Sequence, residues 1–198
     1  MPLCRRILLV MLMPDKVILA QLRKNLSDEL LHHSQGVGET AAKLALSLGC
    51  SESKAGLAGL LHDCVREWPH EKLFAFAREH GIETDRFALR CPVLLHAPVG
   101  AAVARTWGIS DPEILAAIRN HTLGFPGMSL LEQIVYVADK IEPGRIFSGV
   151  EELRVLVAKD FKLGLKQAAA HSIALVLHKN HSLHPSTVSF WNWLVEMR

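Results

Sequence analysis

The chain has 198 residues, of which 49% are hydrophobic and 21% charged, and its formal net charge is +2. A chain of this size buries roughly 70% of its unfolded surface, so one domain with a real core is expected and a disordered chain is excluded. The small charge and the lack of a basic block give no case for a nucleic-acid partner. The longest apolar run falls far short of a membrane span, so no membrane partner is expected either.

That run opens the chain. Arg5-Arg6 precedes Ile7-Leu8-Leu9-Val10-Met11-Leu12-Met13, and Pro14-Asp15-Lys16 follows without a small-residue cleavage site. Residues 1–12 read as an N-terminal extension, disordered or bypassed by translation from Met13, and residues 13–198 as the domain. Cys4, Cys50, Cys64 and Cys91 lack the short spacing of a zinc or redox motif, which points to reduced thiols in a cytoplasmic protein.

Lys16 to Lys24 has the pattern of an amphipathic helix with a basic face. Ser27, followed by Asp28-Glu29, starts the next helix, since a hydroxyl cap and early acids suit its positive end. Leu30, Leu31, Val37, Ala41, Leu44, Ala45 and Leu48 then recur at helical spacing up to Gly49, with His33 near the apolar face. Ser51 caps a third helix of small and apolar residues, Ala55 to Leu61, which closes on His62-Asp63. His70 to His80 is a surface helix, and Phe87 to Leu95 a short apolar stretch interrupted by Pro92. Helices follow over Val99 to Trp107 and from Asp111-Pro112-Glu113 to His121, the latter with proline in its first turn. Ser129 caps Leu130 to Ile141, and Asp139 falls just past its apolar patch. Val150 to Ala158, Phe161 to His178 and Pro185 to Glu196 complete the chain. With no period-2 run and no repeat, the fold class is all-α, a single helical bundle of roughly eight to ten helices.

His62-Asp63 at the end of a buried helix is the feature around which the rest is arranged. Taken alone, the pair is more readily explained by capping and hydrogen bonding. His33, His96, His121 and Asp139 change that reading, because each lies beside an apolar segment and buried charge persists only when paired or bound to a metal. Imidazole and carboxylate without thiolate suit a divalent transition metal such as iron, manganese or zinc, here two ions. The histidine-rich tract His178 to His184 reads mostly as a solvated loop, and Trp191 and Trp193 as core or dimer contacts.

These residues resemble the HD-domain metal-dependent phosphohydrolases, whose signature is a histidine, an adjacent His-Asp and a distant aspartate: here His33, His62-Asp63 and Asp139. The stretches His33-Ser34-Gln35-Gly36-Val37, Leu95-His96-Ala97-Pro98-Val99-Gly100-Ala101, His121-Thr122 and Ala138-Asp139-Lys140-Ile141-Glu142-Pro143-Gly144-Arg145 are similar to one branch. That branch is the YqeK family of bacterial symmetrical bis(5′-nucleosyl)-tetraphosphatases, and the likeness runs from about residue 16 to 195. The resemblance implies a single HD-domain bundle that cleaves diadenosine tetraphosphate to two ADP by attack of a metal-bridging hydroxide on an inner phosphorus. It implies one ion on His33, His62, Asp63 and Asp139 and a second on His96 and His121, with Asp63 bridging. Iron leads, and manganese, cobalt, zinc or magnesium are the alternatives. Arg66 stands where the family commonly has lysine; it is assigned a catalytic, phosphate-binding role beside Asp63, and Arg145 a second phosphate contact. The partner expected is a dinucleoside polyphosphate or other nucleotide, with a homodimer as an option. Two other readings stay open: a phosphohydrolase of nucleoside mono-, di- or triphosphates, and a nucleotide-sensing module without turnover.

Overall fold

The structure, a computed structural model, describes residues 16–197. The expectation about residues 1–12 lies outside them. Eleven α-helices are present among the described residues, and no strand. They are α1 (Lys16–Asn25), α2 (Asp28–Leu48), α3 (Glu52–Leu61), α4 (His70–Glu79), α5 (Arg86–Arg90), α6 (His96–Thr106), α7 (Pro112–Asn120), α8 (Leu130–Ile141), α9 (Val150–Lys159), α10 (Phe161–His178) and α11 (Pro185–Glu196). The count exceeds the expected eight to ten because the stretch around Pro92 resolves into α5 and a separate 3₁₀ turn, Pro92–Leu95. Proline lacks the N–H that would continue α5, so the chain restarts. Helix α6 begins at His96 rather than Val99, which puts His96 on its first residue.

The sequence signals at helix ends act as expected. Ser27, Ser51 and Ser129 each accept a backbone N–H with the side chain, and Ser129 with Glu132 forms a reciprocal capping box. Helices α2 and α3 touch backbone to backbone. A Cβ on Gly38 would lie 2.9 Å from the Gly56 carbonyl, and one on Gly59 would lie 3.0 Å from Gly38 Cα. The small residues of α3 therefore serve close approach, and this crossing sets His33 and His62 side by side, ring centroids 5.3 Å apart.

Two apolar clusters form the core. The larger is built from α1 to α8 and includes Leu22, Val37, Leu61, Leu73, Leu115, Ile118, Ile134 and Val135. The smaller joins α8 to α9, α10 and α11 through Tyr136, Val137, Leu153, Leu165, Phe190 and Leu194. Helix α8 belongs to both, so all its residues from Leu131 to Asp139 are buried, the polar Glu132, Gln133 and Asp139 included. Among the described residues no helix is long and apolar enough to cross a membrane.

Candidate metal centre

Each histidine of the cluster is aimed by its own backbone. His62 closes α3 and its Nδ1–H donates to the Gly59 carbonyl at 2.7 Å. His121 closes α7 and donates in the same way to Ile118 at 2.7 Å, and His96 donates to Val93. A carbonyl can only accept, so Nδ1 carries the proton in all three rings and Nε2 is left as a lone pair facing inward. In His33 the Nδ1–H donates to Glu142 Oε1 at 3.0 Å, which frees its Nε2 as well. The four imidazoles thus present the same atom to one space.

Two carboxylates meet those atoms. Asp139, buried on α8, brings Oδ1 within 3.1 Å of His33 Nε2 and 3.6 Å of His62 Nε2. Asp63 lies in the turn after α3 with one oxygen on each side: Oδ2 is 3.3 Å from His62 Nε2, while Oδ1 is 3.0 Å from His96 Nε2 and 3.4 Å from His121 Nε2. His33, His62 and Asp139 each offer an atom within 4.8 Å of the others, and so do His62, Asp63 and His121. The structure brings together all six residues singled out in the sequence.

The donor set fits a divalent cation on three counts. His62 Nε2 and Asp63 Oδ1 are buried and make no hydrogen bond despite these short approaches. The lone pairs of His96 and His121 stand 3.1 Å apart, an arrangement that repels unless something positive lies between them. The Thr122 hydroxyl, 3.1 Å from one and 3.0 Å from the other, can donate to only one of them. Finally, the ligand types are imidazole and carboxylate without thiolate, which suits harder divalent metals. His/Asp groups able to hold such a metal are therefore present.

The electrostatics of the cluster agree with this. Burial opposes charge on Asp63 and Asp139, yet His62 beside the first and Lys140 beside the second, with the other imidazoles, hold both carboxyls well below the usual range. Burial also opposes charge on His62, but Asp63 and Asp139 overcome it and push its pKa up to about 10. His121 is lowered by burial to about 4 and remains a neutral ring.

Cationic side chains stand at the mouth. Arg66, three residues after Asp63, is 43% exposed and reaches within 3.3 Å of His96 Nε2 and 3.6 Å of Asp63 Oδ1. Arg145 donates from Nε to the Asp139 carbonyl at 2.7 Å and from Nη2 to Asp139 Oδ1 at 2.5 Å. Its guanidinium is thus ion-paired with Asp139 in this structure. Lys140 Nζ lies 2.5 Å from Asp139 Oδ2 and was given no role by the sequence, although it adjoins the aspartate. Glu132 and Glu142 also went unassigned. Glu132 caps α8 and accepts from Asn120 at 2.5 Å, fastening the turn that carries His121 to the start of α8. Glu142 lies 109 positions from the His33 it contacts, a pairing with no sequence signal.

The tract from His178 to His184 is split. His178 and His181 are exposed, whereas His184 caps α11 and bonds Asp85 at 2.7 Å. Neither of the two groupings able to hold a metal, among the described residues, includes any of them. Trp191 and Trp193 are partly buried against the smaller core cluster.

An all-helical bundle with an adjacent His-Asp closing one helix and a distant Asp on another is the arrangement of an HD domain, and the HD domain family model matches residues 30–144. The chain is 40% identical over 183 residues to the symmetrical bis(5′-nucleosyl)-tetraphosphatase of Bacillus subtilis (strain 168), covering 89% of this chain and 95% of that one. It is 30% identical over 174 residues to the protein of the same name from Staphylococcus aureus (strain NCTC 8325 / PS 47), covering 86% and 89%. The crystal structure of a "predicted HD superfamily hydrolase involved in NAD metabolism" from Clostridium acetobutylicum superposes with a TM-score of 0.87 at 39% identity, covering 90% of this chain and 95% of that one. This chain belongs to the HD domain family and, within it, to the branch of these symmetrical bis(5′-nucleosyl)-tetraphosphatases.

Proposed function

We propose that the protein is a metal-dependent phosphohydrolase that cleaves diadenosine tetraphosphate symmetrically, adding water across the central phosphoanhydride to release two ADP. The observation that carries the reading is the convergence of four Nε2 lone pairs and two carboxylates on one buried space, in a chain that matches the curated tetraphosphatases along most of its length. His33, His62 and Asp139 would hold one divalent ion, His96 and His121 a second, and Asp63, with an oxygen toward each group, would serve both. Iron heads the order of candidates, followed by manganese, cobalt, zinc and magnesium. When bound, such a pair lowers the pKa of water and neutralises charge on phosphoryl oxygens.

The chain's own residues supply the rest. The wall of α2, α3, α6, α7 and α8 keeps bulk water from the ligand side chains, five of which are at most 8% exposed. Arg66 sits where it can fork onto a phosphate of the tetraphosphate chain, and its planar guanidinium substitutes for the family's lysine as a charge and a double donor. Arg145 would give up its hold on Asp139 Oδ1 once a metal takes that oxygen, and then turn to a second phosphate. Lys140 would stay on the other oxygen and offset the negative charge gathered there.

The test is an anaerobic preparation loaded with Fe²⁺ or Mn²⁺, incubated with diadenosine tetraphosphate and resolved by anion exchange. ADP as the sole product is expected. The Asp63→Ala variant is expected to lose at least about 100-fold in rate, the scale on which removing a preorganised electrostatic group acts. AMP plus ATP would overturn the symmetrical cleavage, and turnover of nucleoside mono-, di- or triphosphates alone would overturn the substrate.

A further inference from the structure

We propose that Glu142 is a positioning residue that fixes the tautomer and plane of His33 and strengthens its Nε2 as a ligand for a divalent cation. The inference rests on the metal reading above and extends it to a residue that touches neither metal nor substrate.

Three observations carry it. Glu142 is 3% exposed, and its Oε1 accepts from His33 Nδ1 at 3.0 Å, on the face of the ring opposite the cluster. Its other oxygen accepts the Gly144 N–H at 2.6 Å. Both oxygens therefore accept a hydrogen bond. The space for this carboxylate is built into α2: a Cβ at Gly36 would stand 2.7 Å from Glu142 Oε2, so a glycine one turn after His33 admits the buried charge. From the far side, Arg154 on α9 donates from Nε to the Ile141 carbonyl at 2.9 Å and from Nη2 to those of Glu142 at 2.7 Å and Arg145 at 3.0 Å. It thereby holds the turn that carries Glu142.

His62, His96 and His121 back onto neutral carbonyls, whereas His33 alone among the four backs onto a carboxylate. A negative charge behind an imidazole strengthens the ring as a ligand, and loss of such a partner typically lowers metal affinity by roughly 10–100-fold. Glutamine at this position cannot reproduce the contacts. Its carbonyl can accept from His33 or from Gly144, but its NH₂ then faces the other donor.

The experiment uses the full chain, stripped with chelator and titrated with Mn²⁺, with free Mn²⁺ counted by electron paramagnetic resonance. Wild type is expected to bind two ions. Glu142→Gln is expected to weaken one ion by roughly 10–100-fold and to leave the other within about twofold of wild type, and His33→Ala is expected to weaken that same single ion. Gly36→Ala, which displaces the carboxylate without changing it, is expected to act in the same direction by a smaller factor, and it carries the test should Glu142→Gln not fold. Glu142→Asp, which restores the charge, is expected to recover part of the loss.

Two unchanged ions in Glu142→Gln, while His33→Ala loses one, would overturn the role of Glu142 and leave the metal reading intact. Parallel weakening of both ions with a lowered urea midpoint would also overturn it, because that is the signature of general structural damage. A wild type that binds no Mn²⁺ would overturn the metal reading and this proposal together.

Discussion

At the scale of single residues, the centre is governed by which atom each side chain is allowed to offer. Backbone carbonyls at Gly59, Val93 and Ile118 and the carboxylate of Glu142 accept the Nδ1 protons, so the reactive nitrogens are selected before any ligand arrives. Arg66 differs in kind, being 43% exposed and touching the cluster only at its edge. Its truncation is therefore expected to separate substrate binding from metal binding. Arg66→Ala should raise KM for diadenosine tetraphosphate by about 10–100-fold, corresponding to a charge-assisted hydrogen bond of roughly 1.5–3 kcal/mol, while Mn²⁺ affinity stays at the wild-type value. Arg66→Lys should recover most of the loss if charge suffices. Steady-state kinetics at saturating metal would measure both.

At the scale of helices, the site depends on how closely α2 and α3 approach. Gly59 meets the backbone of Val37 and Gly38, with a Cβ there placed 3.0 Å from Val37 O, so an added methyl has no flexible neighbour to displace. Gly59→Ala is expected to lower stability by about 1–3 kcal/mol, the usual cost of overpacking, even though alanine favours the helix. Because the push separates His33 from His62, metal affinity should fall with it. Urea denaturation and Mn²⁺ titration together would test this. A second tie, between His184 at the start of α11 and Asp85 at the start of α5, gives a pH signature. Burial works against charge on Asp85, but the Ala88 N–H and the His184 ring hold its carboxyl below the ordinary value. A depressed carboxyl stabilises the fold above the unfolded pKa, about 3.9 for aspartate, and that contribution disappears as pH falls through the folded value. The Tm difference between wild type and Asp85→Asn should thus be present at pH 5 and shrink below about pH 4, since asparagine keeps the helix cap.

For the whole molecule, side chains from five helices and the turns beside them converge on one buried cluster while α8 joins both core clusters, so a ligand held there would stabilise the fold. A cation that binds only the folded chain at 100 times its Kd adds about 2.7 kcal/mol. For a chain of this size that corresponds to a Tm increase of roughly 5–10 °C. Calorimetry with and without Mn²⁺, then with chelator, should show the rise and its reversal; an unchanged Tm would mean that the cluster binds no metal in the folded state.

Much of this was legible before any coordinates. Helix boundaries followed from serine caps, prolines in first turns and apolar spacing, all of which act over three or four residues. The six converging side chains are legible only as a set, because each alone is as well explained by capping or a backbone hydrogen bond. Three matters were decided only by the tertiary structure. One was that α6 starts at His96, because the 3₁₀ turn before it leaves that residue free to begin a helix. Another was that Arg145 and Lys140 both lie on Asp139, a choice set by the folded turn after α8. The third was the carboxylate behind His33. Local hydrogen bonding and hydrophobic periodicity are encoded by near neighbours in the chain, but a contact across 109 positions depends on how the α2–α3 crossing seats α2 against α8.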